Sequence, residues 1–114
     1  MATDIVRNFI KGSDNVVQVT LTEDDAAITT TWTQLKIYVG AVTITRTANG
    51  DGVSLTSGVL QITPAELSES LATLTNDKHR VLIRLRDSGN PNGVYFAADD
   101  SDEHLYFNVT DPLD

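Results

Sequence analysis

Cysteine is absent from this chain. Neither a disulfide framework nor a thiolate metal site can therefore form, and no thiol nucleophile exists. Stability has to come from packing. Long apolar runs are also missing: no stretch approaches the ~20 residues needed to span a bilayer, and Met1 to Asn15 holds no run long enough for a signal-peptide core. Synthesis and folding in a cytoplasm, with no membrane contact, are the expectation. Basic residues are few, eight against sixteen acidic ones, for a formal net charge of −8. Such a surface repels phosphate backbones, so direct nucleic-acid binding is not expected. Solubility at high concentration accounts for the charge; a basic partner surface is the sharper alternative.

Catalytic vocabulary is equally sparse. His79 and His104 are the only histidines, both at starts of expected strands beside charged residues, and no G-x-S-x-G elbow occurs. The chain reads as non-enzymatic, with no cofactor.

What is present is alternation. Val17, Val19 and Leu21 interleave with Gln18, Thr20 and Thr22, the period-2 signature of a strand with one buried face. The same pattern recurs at Leu35-Ile37-Val39, at Val42-Ile44 and at Val81-Ile83-Leu85, where only Leu82 interrupts the polar face. Gly40 marks a kink or tight turn, and Asn49-Gly50-Asp51-Gly52 a hairpin edge. Asp87 to Gly93 concentrates loop-forming residues, and the runs Val94–Ala97 and Leu105–Val109 are expected to pair with each other as a terminal hairpin.

One segment departs from this pattern. Thr63-Pro64-Ala65-Glu66 has the form of a capping box with proline in the first turn, and Leu67, Leu71 and Leu74 follow at helical spacing. A short helix over about residues 64–74 is expected. With a single helix, a parallel sheet cannot be covered. The expectation is all-β: an antiparallel, immunoglobulin-like β-sandwich of about 7–9 strands, with Trp32 in its core. At 114 residues one domain is expected over 1–114, with a possible N-terminal arm at 1–14 and a short tail at 111–114.

Candidate sites are of two kinds. Asp99, Asp100, Asp102 and Glu103 offer four carboxylates within five residues, the ligand type calcium prefers, though without EF-hand spacing. A solvated hairpin tip is the favoured explanation, as it is for Glu23-Asp24-Asp25. Partner binding is the second kind. Arg80, Arg84 and Arg86 place three guanidiniums on one strand face, suited to a carboxylate-rich partner or a copy of the chain, unless cross-strand acids neutralise them. Ile5, Val6, Phe9 and Ile10 make the N-terminal segment either an edge strand or an arm reaching a neighbour. Asn108-Val109-Thr110 matches a glycosylation acceptor, which without a secretory signal is accidental.

Asp14 to Thr22, the hairpin around Gly40, the segment GVLQITPAELSESLATL, then HRVLIRLRD and HLYFNV together resemble the small immunoglobulin-like domains of tailed-bacteriophage virions. The order is similar to that of the N-terminal domains of baseplate proteins. The resemblance implies a virion protein made in a host cytoplasm, contacting other capsid or tail proteins and itself as a homo-oligomer. It brings no catalytic residues. Because the sandwich stands without a long partner domain, capsid decoration is expected ahead of a tail or baseplate adaptor. A calcium-dependent or carbohydrate-binding module is the remaining alternative.

Overall fold

Residues 3–23, 26–27, 32–96 and 103–111 are described by a computed structural model. Among them lie eleven strands: β1 (Thr3–Ile10), β2 (Val17–Thr20), β3 (Thr22–Glu23), β4 (Ala26–Ala27), β5 (Trp32–Val39), β6 (Val42–Arg46), β7 (Val53–Thr56), β8 (Val59–Ile62), β9 (Lys78–Asp87), β10 (Asn90–Phe96) and β11 (Glu103–Thr110). The main sheet runs β1-β11-β9-β5-β6, with β10 also on β9; a second sheet runs β2-β8-β7, and β3 pairs with β4. All ladders are antiparallel except β1 with β11, which run parallel from Thr3↔Glu103 to Ile10↔Thr110. The two sheets, β2-β8-β7 and β11-β9-β5-β6, form a β-sandwich. The shortest molecular axis, 21 Å, fits two stacked sheets with their side chains.

Alternation builds the core directly. Leu35, Ile37 and Val39 of β5, Val81, Ile83 and Leu85 of β9, and Leu105, Phe107 and Val109 of β11 meet Val17, Val19, Val53, Leu55, Leu60 and Ile62 of the second sheet in one cluster. Phe9 is 0% exposed and stacks on Phe107, with ring centroids 5.7 Å apart. Trp32 would point outward by strict alternation. A register shift between Trp32 and Gln34 turns it back against the core, and its indole N–H donates across the sandwich to the Leu55 carbonyl at 3.4 Å.

The expected helix over 64–74 does not form. Only Pro64–Glu66 makes a 3-10 turn, and Leu67 is already extended, at φ −67° and ψ 135°. The Thr63 side chain makes no capping bond. Competing partners explain the outcome. The Ser70 hydroxyl accepts from the Ala72 N–H, and Glu69 is drawn to Arg46. Leu74 is still buried and Leu67 and Leu71 still pack on the core, so the apolar side chains do their work from an irregular crossover.

Three further expectations change. β10 and β11 do not pair with each other. Both pair with β9, whose ten residues accommodate them end to end: Phe96 is opposite Ile83 and Leu105 opposite Val81. The loop expected at 87–93 shrinks to a turn at Ser88-Gly89, after which Asn90 already pairs with Asp87. Buried Asp87 holds that turn, its Oδ1 accepting the Gly89 and Asn90 N–H groups at 2.9 and 2.8 Å. The Asn49–Gly52 turn carries the chain from one sheet to the other rather than closing a hairpin. Gly52 is required there: at φ +84°, an added Cβ would lie 2.8 Å from the Thr63 carbonyl oxygen. No helix among the described residues is long and apolar enough to cross a membrane.

Candidate functional site

The outward face of the main sheet gathers most of the chain's cations. Alternation on β9 sends Val81, Ile83 and Leu85 into the core and leaves Lys78, Arg80, Leu82, Arg84 and Arg86 on the opposite face. Register then sets their neighbours. Arg80 lies opposite Tyr106, which lies opposite Val6 of β1; Leu82 lies opposite Tyr38; Arg84 lies between Lys36 and Tyr95; Arg86 lies opposite Gln34. None of these positions is acidic. Five of the eight basic residues, Lys36, Lys78, Arg80, Arg84 and Arg86, therefore share one face with the tyrosines Tyr38 and Tyr106.

Local contacts hold these side chains in place. The Lys78 Nζ sits 4.6 Å from the Tyr106 ring centroid and the Arg80 guanidinium carbon 5.8 Å from it, so one electron-rich ring supports two cations, each contact worth about 0.5–1 kcal/mol. Arg84 donates from Nε and Nη2 to the Asn92 carbonyl at 3.0 and 2.5 Å. Gly93 permits that approach; with φ +91°, a Cβ there would come within 2.6 Å of the Arg84 Nε. Arg86 Nε and Gln34 Oε1 are buried without a hydrogen-bond partner among the described residues, and Lys36 faces another cation across the strand. Like charges in register oppose each other, which a packing role does not require.

The N-terminal segment divides between two environments. Phe9 is core, Ile5 packs on the core and Ile10 is half-buried, while Val6, 43% exposed, joins the outer row with Tyr106 and Arg80. β1 is thus an edge strand. Arg7 ties it to the second sheet by donating from Nε to the Gln18 carbonyl at 3.1 Å.

A polar cleft of about 430 Å³ lies on the other side of β6, lined by Arg46, Asn49, Asp51 and Glu69 among others. Its chemistry is closed. Arg46, 8% exposed, uses all five N–H groups: on the carbonyls of Gly50, Thr45 and Asp51, and bidentately on Glu69 at 2.5 and 2.8 Å. The guanidinium hydrogen bonds hold the Glu69 carboxyl below its usual pKa, and Glu69 in turn raises Arg46. This cluster fastens the irregular 67–77 crossover to the turn after β6.

Carboxylates collect elsewhere, at one end of the sandwich. Ala65 bonds Ser13, Thr63 bonds Gly52, Lys11 bonds Thr110, and Val109 bonds Asp77, so Asp14, Asp51, Glu66, Asp77 and Asp111 border the same end. All but Asp111 are exposed.

The calcium candidates Asp99, Asp100 and Asp102 lie outside the described residues, as do Asp24 and Asp25; the backbone of Glu103 opens β11. Among the described residues, no group of three His, Cys, Asp or Glu side chains is placed to hold a metal ion. His79 is occupied by the Thr75 carbonyl, 2.9 Å from its Nε2. Sequence reasoning picked out the three arginines but missed Lys36, Lys78, Tyr38 and Tyr106. Lys36 and Tyr38 were visible as the polar half of an alternating strand, yet only the order of strands sets them beside β9. No protein-family model, curated protein or solved structure matches this chain.

Proposed function

We propose that this chain is a non-enzymatic structural protein that works by docking onto other proteins, as a capsid decoration or accessory protein of a tailed bacteriophage. The observation that carries the docking role is the outer face of the main sheet, where Lys36, Lys78, Arg80, Arg84 and Arg86 stand with Tyr38 and Tyr106 in a chain of net charge −8. Tyrosine and arginine are the residue types that anchor protein interfaces, and a rigid sheet presents them at little entropic cost. The virion assignment is supported by the order of segments that resembles phage sandwich domains.

Quantitative mass spectrometry of gradient-purified particles from the source culture tests the reading, through the ratio of this chain to the major capsid protein. A fixed, simple stoichiometry with that protein supports decoration. A few copies per particle reassigns the chain to the tail or baseplate, and absence from particles overturns the virion role.

A further inference from the structure

We infer that the outer face of the main sheet takes the acidic end of a second copy of this chain, in a head-to-tail contact. The inference builds on the docking role proposed above and is independent of the virion assignment. Charge distribution carries it. Five of eight basic residues lie on this one face, which leaves Arg7, Lys11 and Arg46 as the basic residues elsewhere. Arg46 is consumed by Glu69, and Arg7 is engaged by the Gln18 carbonyl. Lys36, Lys78 and Arg86 form no ion pair among the described residues. The complementary patch is at the end of the sandwich, where Asp14, Asp51, Glu66 and Asp77 are all exposed.

Each molecule therefore carries both halves of a contact, at different places on its surface. A patch and its complement that do not coincide give a heterologous interface, which closes into a ring or extends as a chain. Arginine suits such a site because its planar fork meets a carboxylate bidentately. A polyphosphate is the competing ligand for a cationic, tyrosine-bearing sheet face, but it would have to approach a protein whose overall field repels it.

Sedimentation velocity of the full chain tests the contact at about 20 mM and about 300 mM NaCl, between which the screening length falls from roughly 20 Å to roughly 6 Å. The expected result is concentration-dependent association at low salt, weakened about tenfold or more at high salt. Two charge-reversed proteins sharpen it: one carrying Lys36→Glu with Arg86→Glu, the other Asp14→Lys with Glu66→Lys. Each alone should be monomeric, and an equimolar mixture should associate again, because the reversed end of one meets the reversed face of the other. Should a reversal prevent folding, Lys36→Gln with Arg86→Gln removes charge without adding repulsion and should still lower association. A monomer at low salt across all concentrations overturns the inference, as does association untouched by the face substitutions. Tight binding of a labelled single-stranded oligothymidylate, lost on face reversal and without self-association, would assign the face to nucleic acid instead. A chain abundant in particles yet monomeric alone would retain the virion role and lose this contact.

Discussion

In the cleft beside β6, the nearly buried Arg46 has every N–H satisfied; on the outer face of the main sheet, Arg86 Nε and Gln34 Oε1 lie buried with no hydrogen-bond partner among the described residues, and Lys36 stands opposite Arg84. Both regions are polar; strand register assembles the face, whereas a turn and the irregular crossover assemble the Arg46 cluster. The difference is closure. Around Arg46 the polar groups pair within the chain, so the cluster acts as structure, tying the crossover to the β6–β7 turn. On the face, cations are held in place by aromatic rings and a carbonyl, and the cross-strand positions supply no opposite charge. A cation paired internally contributes to folding, whereas like charges in register, as at Lys36 and Arg84, repel each other.

Substitutions separate these roles. The core shared by both regions sets the scale: Phe9→Ala removes the ring stacked on Phe107 and should cost about 3–5 kcal/mol, read as a lowered urea midpoint. The size of that loss also measures how fully β1 belongs to the fold. In the cleft beside β6, Glu69→Ala strands the Arg46 guanidinium and should cost about 2–3 kcal/mol. The pair also predicts a pH dependence. Because the folded Glu69 pKa is depressed, its stabilisation is complete above the unfolded value of about 4.3 and is lost as pH falls through the lower folded value. Glu69→Gln should flatten this acid limb of a stability-versus-pH curve, and an unchanged limb would mean that the bridge contributes nothing. Gly52→Ala places a side chain at positive φ against the backbone of the 3-10 turn and should cost about 2 kcal/mol. On the face, Lys36→Gln with Arg86→Gln should leave stability within about 0.5 kcal/mol of the parent, because no internal ion pair among the described residues is lost. A large loss from that double substitution would erase the distinction between the two regions.

Several parts of the fold were legible without coordinates. The apolar sets Leu35-Ile37-Val39, Val42-Ile44 and Val81-Ile83-Leu85 alternate strictly, and each is buried as its period demands. Pairing around Gly40 followed from turn chemistry. The crossover misled because its leucines have helical spacing, while the Arg46 that draws Glu69 away comes from a distant strand. The same blindness applied to β10 and β11. Their sequences fit a hairpin, but an equally good ladder was available along β9, and nothing local distinguishes the two.

The three arginines show where the boundary lies. Their sharing of a face was determined by the sequence alone, since a strand sends every second side chain to the same side. What lies beside them was decided by tertiary structure: a register between strands distant in the chain placed Tyr106, Lys36 and Gln34, rather than carboxylates, next to Arg80, Arg84 and Arg86. Alternation is a local property of the backbone, whereas strand order and register are set by burying both sheets' apolar faces in one core, and the chemistry of the outer face follows from that packing.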